Sequence, residues 1–127
     1  MADELSARIL AEESLLGSIL IEATATHSLA IHQVSSLVNH TDFSDARDYF
    51  SNRRSRIFKA MTQCEHPDIV CVAQWLVDTK QLKDGDLPYL SHLISECPTS
   101  FDYLWYGKAV RKYARGNQPS GYAGLKV

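Results

Sequence analysis

The sequence predicts an all-α fold, a compact bundle of about six helices. Three observations carry this. Apolar residues recur at three- and four-residue intervals through most of the chain. No alternating apolar and polar run longer than a few residues competes as a strand. Pro67, Pro88 and Pro98 fall where helical stretches begin or end.

The first helix carries Leu5, Ile9, Leu16, Ile19 and Leu20 at helical spacing and needs about four or five turns. Gly17 lies inside it and lowers its helix propensity by about 1 kcal/mol relative to Ala, which a close approach by a neighbouring helix would repay. A joint rich in Thr, Ala and Ser over Thr24 to Ser28 leads to a second stripe, Leu29, Val34, Leu37 and Val38, which ends near Asn39. Thr41 to Asp48 is polar and turn-like. Ser51 is positioned as N-cap of a third helix over Asn52 to Gln63, in which Ile57, Ala60 and Met61 share a face beside Phe58.

Pro67 separates this helix from a fourth, started by Asp68 and marked by Val70, Val72, Ala73, Leu76 and Val77, with Trp75 flanking the buried face. After the turn Lys83-Asp84-Gly85-Asp86, the residues Leu87, Leu90, Leu93 and Ile94 mark a fifth helix with Pro88 in its first turn. Thr99 or Ser100 can cap a sixth that runs to about Arg115. In it Tyr106, Ala109, Val110 and Tyr113 fall at i, i+3, i+4 and i+7, and Lys108, Arg111, Lys112 and Arg115 repeat that spacing one step round. The expected organisation is one helical domain over residues 1–115, followed by a flexible tail or interdomain linker over 116–127, where Gly116, Pro119 and Gly121 interrupt the pattern.

Composition limits the function classes. At 127 residues and 45% hydrophobic content the chain suits one domain with a real core. Its 13 basic and 15 acidic residues give a formal charge of −2, which excludes a strongly basic DNA-coating protein. Cys64, Cys71 and Cys97 are odd in number and read as reduced thiols. The start Met1-Ala2-Asp3-Glu4 is acidic rather than a signal peptide, and no window approaches the roughly 18 apolar residues of a membrane span, so a cytoplasmic location without membrane contact is expected.

No catalytic constellation emerges. Gly116 and Gly121 have P-loop spacing, but Tyr122 and Ala123 stand where Lys and Ser or Thr must contact phosphate. Cys64-Glu65-His66 with Cys71 offers zinc three ligand types, yet further ligands would have to come from His40, His92 or Cys97, so buried small thiols are the better reading. The carboxylate pairs Asp45 with Asp48 and Glu12 with Glu13 lack a partner that would give them acid–base work and are expected on solvated faces. Neither an enzyme nor any catalytic, metal or cofactor site is expected. Two basic clusters remain as contacts for a partner or nucleic acid: Arg53, Arg56 and Lys59 in the third helix, and Lys108, Arg111, Lys112 and Arg115 in the sixth. Aromatics at helical spacing, here Tyr103, Tyr106 and Tyr113 with Val110, suit a core or an interface.

The segment Ala11-Glu12-Glu13-Ser14-Leu15-Leu16-Gly17-Ser18-Ile19-Leu20, then Tyr49-Phe50-Ser51 leading to Arg54 and Ile57-Phe58-Lys59-Ala60-Met61, resembles the N-terminal domain of DnaB-type replicative DNA helicases. The likeness continues through Asp68 to Ala73, Trp75-Leu76, Leu82, Tyr89-Leu90, Leu93-Ile94, Pro98-Thr99-Ser100 and Tyr106 to Arg111. The resemblance implies a non-catalytic helical domain that pairs through a helical hairpin into a collar and recruits primase. ATP and magnesium would belong to a separate motor domain, with which DNA contact would also chiefly lie. Tyr103, Tyr106, Val110 and Tyr113 are then the expected interface of the chain with itself. The chain departs from the family pattern at Arg54-Ser55, where a His-Arg step is usual, and at Gly116 and Pro119, where the hairpin arm would continue. Two alternatives stand beside this reading: the helicase-binding domain of a primase, and a small helical protein that binds nucleic acid through the two basic clusters.

Overall fold

The computed structural model describes residues 2–25, 29–98 and 102–116. Among these it is all-helical: α1 (Ala2–Ala25), α2 (Leu29–Val34), a 3₁₀ turn (His40–Asp42), α3 (Arg53–Thr62), α4 (Ile69–Asp78), α5 (Asp86–Ser95) and α6 (Tyr103–Arg115). Helix α1 is the axis, and α2, α3, α5 and α6 all pack on it. It is longer than its apolar stripe predicts, because its first turns extend beyond the core with Leu5 and Leu10 exposed.

In the middle of α1 every residue from Ser14 to Leu20 is buried. A helix enclosed on all sides needs small residues wherever a neighbour crosses closely, and Ser14, Gly17 and Ser18 supply them. A Cβ on Gly17 would collide with the Leu93 carbonyl oxygen of α5 and lie 3.0 Å from the Cys97 Cβ, so the expected close approach is present. Leu15, Leu16, Ile19 and Leu20 form one core with Val34, Val38, Ile57, Phe58, Met61, Val72, Leu76, Leu90, Leu93 and Val110. Phe43 joins it from the polar loop and packs on Phe58 with ring centroids 5.2 Å apart.

Several local expectations change. The second stripe is buried through Ala30, Ile31, Val34 and Val38, with Leu29 exposed. In α4 the buried pair is Val72 and Leu76. Val70 and Val77, seven residues apart, share a different and exposed face of the same helix. Asp68 caps α4 as expected, its Oδ1 accepting from the Cys71 N–H at 2.9 Å. Ser51 does not cap α3, because its own N–H is turned to Asp48 Oδ1 at 3.0 Å. Asn52 occupies the N-cap position without a side-chain capping bond, its Oδ1 accepting instead from Arg56 Nε at 3.2 Å, and Asp45 from the loop caps, accepting from the N–H groups of Arg54 at 2.7 Å and Ser55 at 3.0 Å. Gly85, at φ +88°, makes the sharp turn into α5. The candidate caps Thr99 and Ser100, and residues 117–127 of the expected tail, lie outside the described residues.

Candidate functional site

Of the carboxylates expected on solvated faces, Asp48 is exposed, whereas Glu12 and Asp45 are buried and help to hold the fold together, as do Asp86 and Asp42. Glu12 has no exposed surface. It accepts from Arg8 Nε at 3.1 Å, Arg54 Nε at 2.8 Å, Ser44 N–H at 2.7 Å and Ser44 Oγ at 2.9 Å. Asp86, equally buried, accepts from Arg53 Nε at 2.9 Å, Arg56 Nη1 at 2.6 Å and the Lys83 N–H at 2.8 Å. Burial alone would raise the Asp86 carboxyl, but the hydrogen bonds from Arg56 and the Lys83 N–H, with the fields of Arg56 and Arg53, hold it below the ordinary carboxylate value. Asp42, also buried, takes both Nε (3.1 Å) and Nη2 (2.8 Å) of Arg115.

These pairings decide what the basic clusters can do. In the α3 cluster Arg56 is buried and Arg53 is tied to Asp86, which leaves Lys59 as the exposed member. In α6 Arg115 is tied to Asp42 and Arg111 Nη1 leans 3.4 Å from the Leu37 carbonyl, whereas Lys108 and Lys112 are exposed. Three of the arginines in the two clusters, Arg53, Arg56 and Arg115, are thus already engaged by carboxylates. Nor do the described residues contain a group of three or more His, Cys, Asp or Glu that could hold a metal. Burial and the nearby Cys71 and Asp68 push the Cys64 thiol up to about 11, so that it stays protonated at neutral pH.

Helix α6 is apolar on two faces. Val110 is fully buried and Gly107 is buried beside it, with Val38, Val34 and Leu15 in ordinary contact distance of where a Gly107 Cβ would stand. Tyr106 is half-buried against the core, and Tyr103 donates from its hydroxyl to Gln33 Oε1 at 2.9 Å. The residues grouped as an interface thus divide: Val110, Tyr106 and Tyr103 dock α6 onto the body of the domain, and Tyr113 lies at the margin, 37% exposed. The outward face carries Trp105, Ala109 and Tyr113 at i, i+4 and i+8, and Trp105 is 69% exposed. With Lys108, Lys112, Gly116 and Glu4 of α1 they line an open groove of about 620 Å³. Trp105 is not among the interface residues expected from the sequence. Its four-residue spacing from Ala109 and Tyr113 was the available signal.

A second exposed aromatic feature lies on the loop before α3. Tyr49 and Phe50 meet edge to face with centroids 5.2 Å apart. The structure thus separates the aromatics around Thr41 to Ser51 into one core residue, Phe43, and two surface ones.

No helix among the described residues is long and apolar enough to cross a membrane. Comparison with curated proteins and with solved structures gives no match. A model of the DnaB-like helicase N-terminal domain matches residues 4–112, which takes in α1 and all but the last turn of α6. With most of its length matched by that model, and with an all-helical fold, the chain belongs to the family of DnaB-like helicase N-terminal domains.

Proposed function

We propose that this domain is a non-catalytic interaction module of DNA replication, which associates with itself through the outward face of α6 and recruits primase. The observation that supports the self-association most directly is the aromatic groove of Trp105, Ala109 and Tyr113. A Trp more than two-thirds exposed on a helix whose opposite face already serves the core is the composition of an interface rather than of an idle surface. Tyr113, which flanks the groove, keeps the role expected of it. Val110, Tyr106 and Tyr103 act by fixing the angle at which α6 presents that face.

Direct nucleic-acid binding is the weaker reading, since Arg53, Arg56 and Arg115 are each paired with a carboxylate and lose much of their attraction for phosphate. The family membership favours the helicase side over a helicase-binding domain of a primase. Sedimentation equilibrium of the chain up to several hundred micromolar is the test of self-association. Concentration-dependent association that Trp105→Glu abolishes is expected, and a strict monomer would refute it. Titration with the cognate primase tests recruitment separately, and absence of a complex at that concentration would refute that part.

A further inference from the structure

Tyr49 and Phe50 are 82% and 81% exposed, the largest exposures among the big apolar residues described. They do not hang from a loose tether. Asp48 Oδ1 accepts from the N–H groups of both Phe50 and Ser51, each at 3.0 Å, and Lys83 Nζ donates to the Phe50 carbonyl at 3.5 Å. Behind the loop, Asp45 fixes the start of α3. Two rings are therefore held out in water on a backbone that is already ordered, and docking them elsewhere would forfeit little conformational freedom.

The groove on α6 has the complementary character. Trp105 and Tyr113 offer aromatic walls, Ala109 a shallow floor, and Lys108 and Lys112 two ammonium groups at the rim. An occupant with exposed ring faces satisfies both sets at once, through edge-to-face contacts with the aromatics and cation–π contacts with the lysines. Two aromatic side chains bring roughly 150–250 Å² of surface each for burial in such a groove. Asp48, beside the rings, adds a carboxylate to a groove whose charged lining is Lys108 and Lys112 with Glu4, one cation in excess. The near-complete exposure of both rings shows that a chain does not place them in its own groove.

We propose that Tyr49 and Phe50 of one copy insert into the α6 groove of a second copy. This rests on the self-association reading above and names the element that the groove receives. Knob and groove are different patches, so the contact is heterologous: every added copy brings a free knob and a free groove, and assembly closes into a ring or propagates. The patch is smaller than the roughly 1,200–2,000 Å² of a standard interface, so the pairwise contact is weak and needs high concentration or ring closure to be populated.

Sedimentation equilibrium on three proteins tests this: the natural chain, the double variant Tyr49→Ala/Phe50→Ala, and Trp105→Glu. The natural chain should associate, and each variant alone should associate at least tenfold more weakly. An equimolar mixture of the two variants should regain a 1:1 dimer, because the intact groove of one meets the intact knob of the other, with nothing larger than the dimer. Normal association by the Tyr49→Ala/Phe50→Ala protein, or no dimer in the mixture, overturns the knob while leaving self-association through α6 standing. A monomeric natural chain overturns both. Both sites are exposed, so thermal midpoints should stay within a few degrees of the natural chain. Should Trp105→Glu fall outside that range, Lys112→Glu, which alters the rim alone, serves as the groove variant under the same criteria.

Discussion

Glu12→Gln removes a buried carboxylate that two arginines share. The carboxylate has no exposed surface, and its two oxygens each receive two donors: Arg8 Nε and Ser44 N–H on Oε2, Arg54 Nε and Ser44 Oγ on Oε1. Glutamine keeps the shape but must aim its NH₂ group at a guanidinium N–H whichever way the amide turns. Two arginines also lose their anion. Removing one partner of a buried pair costs about 3–5 kcal/mol. Arg54 retains Asp45 at 3.9 Å, and the side chains of Arg54 and Arg8 are 17% and 25% exposed, which places the expected loss near the lower end of that range. For a domain of this length about 3 kcal/mol lowers the thermal midpoint by roughly 10–15 °C. The neighbouring Glu13→Gln is the control: Glu13 accepts one bond, from the Tyr89 hydroxyl at 2.6 Å, and its loss should cost about 1 kcal/mol. Urea unfolding followed by circular dichroism at pH 7 measures both. A Glu12→Gln loss below about 1 kcal/mol, or no larger than that of Glu13→Gln, would refute the reasoning.

Gly17→Ala gains about 1 kcal/mol in helix propensity, yet it should lower the urea midpoint, because the new methyl group meets the Leu93 backbone rather than a side chain that can turn away; a net cost of about 1–3 kcal/mol is expected, and a neutral or stabilising result would show that α5 can shift. Acid should destabilise the domain partly through Asp86: its folded carboxyl binds a proton less readily than in the unfolded chain, so its contribution is complete above the ordinary carboxylate range and is lost as pH falls through the lower folded value. Asp86→Asn should accordingly be less stable at neutral pH and show a shallower decline between about pH 5 and 2, and parallel acid limbs for the two proteins would contradict this assignment.

What the sequence revealed and what it hid follow from the range of the interactions concerned. The helices were legible because their signals are local: three- and four-residue spacing in α3 and α5, Asp68 before α4, Pro67 and Pro88 at boundaries. Gly17 could be read because a glycine inside a strong helical stripe has few other reasons to be there. The charges could not be read the same way. Glu12 finds Arg54 42 residues later and Asp42 finds Arg115 73 residues later. Within any local window such a carboxylate is indistinguishable from one on a solvated face. The same limit governed α6, where spacing shows that Tyr106, Val110 and Tyr113 share a seam but only the positions of α1 and α2 decide that Tyr106 and Val110 turn inward and leave Tyr113 at the exposed margin. Once α1 and α2 fix that rotation, Trp105 must face out. Once Asp86 and Asp42 have taken Arg53, Arg56 and Arg115, the exposed cations left of the two clusters are Lys59, Lys108 and Lys112. The electrostatics that stabilise the fold thereby weaken the phosphate-binding alternative to the proposed self-association through the outward face of α6.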